Sequence, residues 1–210
     1  MKMSNQYPAL RQEHLSRARL YADRDSMIED LTLPRGGVIG EVGVALGDFS
    51  RVLIRTLEPR LFVAFDLFQL HKLDALWGRA TTEIFQGRTH REFYEHAMAE
   101  FPQTVIEEGP STESLARYSD HFFDLLYIDA DHTYDGVARD VALATQKLKI
   151  GGVLVFNDYI MCDHVTYCEY GIVPVVNSLV VEDGWHVIGY ALQHQLFCDI
   201  AIKREHHQNE

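Results

Sequence analysis

The chain has 210 residues, 47% of them hydrophobic and 24% charged. That length predicts one domain, 1–210, with a core large enough to need no disulfide or metal staple. Nineteen basic against 31 acidic residues leave a formal charge of −12, which argues against a nucleic-acid or anionic-membrane surface, since either needs a basic face. No apolar run is long enough to cross a membrane. The first twenty residues have no continuous apolar core of the secretory kind. Cys162, Cys168 and Cys198 are too few for a disulfide framework. The expectation is a cytoplasmic protein whose function resides in a site.

Residues 1–35 read as an N-terminal helical segment. Positions 9–31 have the texture of one or two polar helices, with Asp25 as N-cap before Ser26, and Pro34-Arg35-Gly36-Gly37 as the stop. The core, 36–203, opens with the short apolar run Val38–Val42, followed by helical spacing from Phe49 to Leu57. A second run, Leu61–Phe65, ends at Asp66. Helical material fills 70–101, with a polar loop near Gln86-Gly87-Arg88. A third strand at Thr104–Ile106 leads into the Gly109-Pro110 turn and a short helix from Thr112. The fourth run, Phe122–Ile128, ends at Asp129, and helical periodicity covers Gly136 to Leu148. Lys149-Ile150-Gly151-Gly152 reads as a helix C-cap and turn before a fifth strand, Val153–Phe156. Two β-rich runs, His186–Leu192 and Leu196–Lys203, read as an antiparallel hairpin at a sheet edge, and 204–210 as a frayed tail.

Short apolar runs alternating with helices predict βαβ units. The fold class is therefore α/β: a Rossmann-like, doubly wound, mostly parallel sheet with helices on both faces and a C-terminal antiparallel hairpin. Ligands of such sheets sit beyond the carboxyl ends of the strands. Those ends carry Gly43–Gly47, Asp66, Glu108–Ser111, Asp129–His132 and Asn157-Asp158. The first reads E-x-G-x-x-x-G and lacks a glycine of the dinucleotide pattern G-x-G-x-x-G. Asp66 ends the next strand, where a carboxylate can accept both ribose hydroxyls of a nucleoside; an ordinary helix N-cap is the alternative. The Cys162, His164 and Cys168 spacing could hold zinc but has no fourth ligand, so it reads as a loop.

These motifs, in this order, resemble class I S-adenosylmethionine-dependent methyltransferases. They are closest to the small-molecule O-methyltransferases of the catechol, caffeoyl-CoA and macrocin-like types. The carriers are Glu41–Gly47, Phe65-Asp66, Glu108–Ser111, Phe123–His132 and Leu148–Tyr159. The resemblance implies S-adenosyl-L-methionine as cofactor and a small-molecule acceptor. It implies that Glu41 and the loop from Gly43 to Gly47 hold the methionine end, that Asp66 holds the ribose, and that Gly109, Pro110 and Ser111 flank the adenine. Similar enzymes often place a serine two residues after the second glycine. Here Phe49 stands there, and Ser50, the candidate carboxylate contact, comes one position late.

Asp129, Asn157 and Asp158 are hard donors suited to Mg²⁺, which would lower the acceptor hydroxyl's pKa. Metal-dependent relatives carry an aspartate and then an Asp-Asn pair, which is inverted here. Asp129 could instead hold the cofactor's amine. His132 sits where the catechol-type enzymes carry a catalytic lysine, and its imidazole can accept a hydroxyl proton near neutral pH; helix capping is the alternative. A homodimer is compatible with the edge hairpin. The competing functions are an NAD-dependent oxidoreductase, which the missing glycine disfavours, and a non-catalytic cofactor-binding domain.

Overall fold

The computed structural model describes residues 7–204. Its main sheet has eight strands in the order β1-β9-β10-β8-β7-β2-β3-β6. The five parallel strands of the sequence reading are β2 (Val38–Val42), β3 (Leu61–Asp66), β6 (Thr104–Glu108), β7 (Phe123–Ile128) and β8 (Leu148–Phe156). The hairpin is β9 (Trp185–Ala191) with β10 (Asp199–Arg204), and β10 runs antiparallel to β8. A separate two-stranded ribbon, β4 (Ala75–Leu76) with β5 (Arg79–Ala80), lies between β3 and β6 in sequence.

Both faces of the sheet are covered. On one, α5 (Ser111–Leu115), α6 (Tyr134–Lys147) and α7 (Ile172–Glu182) pack Leu115, Val141 and Val176 against Phe65, Leu126 and Phe156. On the other, α1 (Arg24–Asp30), α2 (Asp48–Leu57) and α4 (His90–Ala97) set Met27, Leu53 and Tyr94 over Phe62, Leu125 and Val155. The short α3 (Thr81–Phe85) sits beside α4 in sequence. Every residue of β2 and β7 is buried, which is why those strands read as unbroken apolar runs. Each such side chain contributes about 1.5–3 kcal/mol on burial.

Four expectations change. Residues 9–31 are not simply helical: a 3-10 turn at Gln12–Leu15 is followed by β1 (Arg19–Tyr21), and only then by α1. The cap of α1 is Asp23, whose carboxylate accepts the Ser26 amide at 2.8 Å, not Asp25, which lies inside the first turn. β1 pairs in parallel with β9, so the hairpin is not the sheet edge; a three-residue segment with exposed Leu20 covers it. Gly151 does not cap α6. Leu148 does so in extended conformation, and the strand starts there, with Gly151 at φ 76 bulging it between the Phe123 and Leu125 pairings. The sequence reading also left out α7, whose Ile172-Val173-Pro174-Val175-Val176 start looks like strand. Pro174 is tolerated because first-turn amides have no partner in the helix.

Candidate active site

Alternation along β2, β3 and β7 gives Glu41, Asp66 and Asp129 the parity of Ile39, Ala64 and Tyr127, which face the α1–α2–α4 layer. Glu41 is buried opposite Tyr127. Burial pushes its carboxyl up to about 8, against the pull of the Ser50 hydroxyl that hydrogen-bonds it, and repulsion from Asp129 adds to the rise. Ser50 is fully buried under the loop, and it also accepts the Tyr94 hydroxyl at 2.9 Å. Its hydroxyl is spent on Glu41, so it is not presented at the surface of the loop.

Gly43 is at φ 87, and a Cβ there would stand 2.0 Å from the Asp129 carbonyl oxygen, so only glycine lets β2 and β7 meet at this point. Gly47 is at φ 81 against the Tyr94 ring. Between them Ala45 takes a left-handed φ of 44. The fully buried His90 holds that turn from below, its Nε2 lying 2.5 Å from the Ala45 carbonyl oxygen. Ala45→Gly relieves a strained turn but adds unfolded-state freedom. The expected net is a gain of up to about 1 kcal/mol in urea unfolding; a loss would show that the methyl's packing outweighs the strain.

Asp66 ties the loop to β3. One carboxylate oxygen accepts the Val44 amide at 2.9 Å and the other the Phe68 amide at 2.7 Å. Its own carbonyl accepts the Gly109 amide at 3.0 Å, which brings the Gly109-Pro110-Ser111 turn to its side. A Cβ on Gly109 would meet nothing within 4 Å, so the turn is open there. Pro110 precedes α5, and the Ser111 hydroxyl turns away to hydrogen-bond Asp140.

The second cluster lies at the ends of β7 and β8. His132 Nε2 stands 3.5 Å from Asp129 Oδ1 and 3.6 Å from Asp158 Oδ2. That nitrogen is buried and has no hydrogen-bond partner. Tyr170 stacks on the imidazole, 4.5 Å between centroids and 7° from parallel, and the Gly171 amide donates to the His132 carbonyl at 2.7 Å. Burial pulls the His132 pKa down, but the neighbouring carboxylates of Asp129, then Asp158 and Asp131, outweigh it and leave it raised. Burial and Asp129 push Asp158 up to about 6. Asn157 turns its side-chain oxygen onto the Asp158 amide at 2.9 Å. Among the described residues no group of three or more His, Cys, Asp or Glu is arranged to hold a metal, so any ion here would rest on fewer carboxylates with waters. Cys162 and Cys168 belong to a loop organised by Asp163, which accepts the Val165 and Thr166 amides. Arg91 pairs with Glu95 and Glu108 at the surface.

A family described as a methyltransferase domain matches residues 41–159, from the first strand-end motif to the last. The chain belongs to this methyltransferase family. No curated protein matches it. Among solved structures, a Corynebacterium glutamicum protein aligns with a TM-score of 0.61 and 12% identity over 97% of this chain and 86% of its own. The O-methyltransferase TomG from Streptomyces achromogenes, solved with SAM, aligns at 0.60 and 16% over 87% and 80%. An O-methyltransferase family protein from Burkholderia thailandensis aligns at 0.59 and 13%; the methyltransferase described here spans 56% of its length. At these identities the likeness is one of fold.

Three further residues of this methyltransferase have structural roles near the strand-end rim that the sequence does not signal. His90 opens α4 and is the buried support of Ala45. Asp199, at the head of β10, is buried beneath Tyr127. Arg24 lies over Phe49, 3.8 Å from its ring centroid. Nothing local to any of the three signals these placements.

Proposed function

We propose that the chain methylates a hydroxyl of a small molecule, with S-adenosylmethionine as donor and His132 as the base. The observation that carries this reading is the His132 imidazole, held between Asp129 and Asp158 beside the glycine loop with Nε2 unpartnered. The glycine loop, whose backbone approaches Asp129 too closely for any side chain, and the Asp66 carboxylate at the next strand end are a cleft of the kind a nucleoside amino acid fills. Family membership supports the same donor.

S-adenosylmethionine, when bound, supplies an electrophilic sulfonium methyl group. The chain's task is to deliver an oxygen nucleophile in line with it. His132 Nε2 would take the proton of the acceptor hydroxyl as that oxygen becomes the nucleophile. Asp129 and Asp158 stabilise the resulting imidazolium, and Tyr170 fixes the ring plane. Alignment supplies much of the acceleration and the base about 10²–10⁴-fold.

The same carboxylates, Asp129 and Asp158, would hold a Mg²⁺ ion that keeps several waters, while the Asn157 oxygen stays on the Asp158 amide. Such an ion, when bound, would lower the acceptor's pKa. EDTA is then expected to lower turnover without changing affinity for S-adenosylhomocysteine, and Mg²⁺ to restore it. Turnover indifferent to EDTA would leave activation to His132 alone.

The deciding experiment is calorimetric titration with S-adenosylhomocysteine, with NAD as control, followed by a screen of hydroxylated acceptors. Micromolar binding of S-adenosylhomocysteine alone supports the reading; NAD binding, or no binding, overturns it.

A further inference from the structure

His90 has a partner for both ring nitrogens and for its backbone amide. Its Nε2 lies 2.5 Å from the Ala45 carbonyl oxygen of the glycine loop. Its Nδ1 accepts the Leu70 amide at 3.4 Å. Its backbone amide donates to His71 Nδ1 at 3.1 Å. Leu70 and His71 both belong to the 3-10 turn Leu70–Lys72 that follows β3. The imidazole is fully buried, with the rings of Phe68 and Phe85 at 5.0 and 5.4 Å between centroids.

These partners fix the proton. A carbonyl oxygen only accepts, so Nε2 carries the hydrogen. A backbone amide only donates, so Nδ1 is bare. His90 is therefore the neutral Nε2–H tautomer. Asp66 makes a matching bridge beside it, from the Val44 amide to the Phe68 amide. The loop is thus held twice: by its Val44 amide through Asp66, and by its Ala45 carbonyl through His90. Both holds end on one stretch, Phe68 to Leu70.

The second hold has its own task. Ala45 stands at φ 44, a left-handed conformation that a residue with a Cβ keeps only when its surroundings impose it. The turn closes with the Gly47 amide on the Val44 carbonyl at 2.8 Å, and the Ala45 carbonyl is left facing an imidazole sealed among aromatic rings. A carbonyl turned that way needs a hydrogen-bond donor, and His90 supplies it. We propose that His90 is a positioning residue for the methyl donor: its Nε2–H holds the Ala45 carbonyl, so that the loop from Gly43 to Gly47 keeps the shape that receives the cofactor. This rests on that donor being S-adenosylmethionine. His90 acts through Ala45 from beneath the loop. Its bonds to Leu70 and His71 serve the fold; its Nε2 bond serves the loop.

Two amide variants separate these tasks. Glutamine places an N–H donor near the Nε2 position. Asparagine places an oxygen acceptor near the Nδ1 position and nothing at Nε2. In calorimetry with S-adenosylhomocysteine, His90→Gln is expected within about threefold of wild type and His90→Asn about 10- to 100-fold weaker, the loss that an unpaired buried carbonyl brings. Equal losses of affinity in the two variants overturn the assignment and make His90 a support of the fold alone. Unchanged affinity in a folded His90→Asn protein overturns it too. Should His90→Asn fail to fold, the imidazole nitrogen resonances of the wild type decide. A protonated Nε2 and a bare Nδ1 are expected, with exchange of the Nε2 proton slowed by S-adenosylhomocysteine. The opposite tautomer, or exchange indifferent to the ligand, overturns the assignment. A wild-type protein that binds no S-adenosylhomocysteine overturns the methyl-donor reading itself, and the role of His90 falls with it.

Discussion

Replacing His132 with alanine is expected to lower kcat by about 10²–10⁴-fold and to leave affinity for S-adenosylhomocysteine nearly unchanged. Truncation removes the acceptor for the hydroxyl proton but no group that touches the loop from Gly43 to Gly47. It also leaves Asp129 and Asp158 facing each other without the imidazole between them. Glutamine keeps much of the size without the basicity, so His132→Gln should be nearly as slow; recovery of most activity in it would reduce His132 to a spacer. The pH profile gives a second check. A base acts in its neutral form, and His132 is raised above its usual value of 6.5 by its carboxylate neighbours. Wild-type turnover should therefore fall with acid through that raised pKa, and the limb should vanish in His132→Ala. A profile identical in both proteins from pH 6 to 9 would refute the role.

Asp66→Ala is expected to weaken S-adenosylhomocysteine by about 10²–10³-fold, because two hydrogen bonds to a charged group are lost at about 1.5–3 kcal/mol each and do not fully add. The structure adds a cost that a ribose contact alone would not. Both carboxylate oxygens already accept backbone amides, from Val44 in the glycine loop and Phe68 beyond β3. Truncation frees both amides and loosens the loop, so thermal stability should drop along with affinity. Asp66→Asn retains one oxygen and should fall between. A folded Asp66→Ala protein with an unchanged dissociation constant would take Asp66 out of the site.

The five parallel strands and the polar residues that end them were legible in the sequence. A strand buried on both faces must be apolar throughout, and the first residue past the core is free to be polar. That is why Gly43, Asp66, Asp129 and Asn157 could be placed at one rim before any coordinates. The glycine pattern was legible for the same kind of reason: only glycine avoids the 2.0 Å clash that a Cβ at position 43 would make. Which of those rim residues face a ligand was not legible. Ser50 lies on the right helix and still points down to Glu41.

Tertiary structure alone decided the rest, because it depends on partners far apart in sequence. β1 is three residues of unremarkable polarity that become strand only by pairing with β9. α7 is rich in β-branched residues, and burial against the sheet overrides that preference. The stack of Tyr170 on His132 needs the loop after β8 to fold back across the rim. Arg24 is the extreme case, held to Gln193 across 169 positions of chain and to Tyr127 across 103. Composition and periodicity record what each segment buries, and so they fix strands, helices and the rim. They carry no record of which distant side chain arrives above that rim, since that is set by chain crossings and packing that no local pattern encodes.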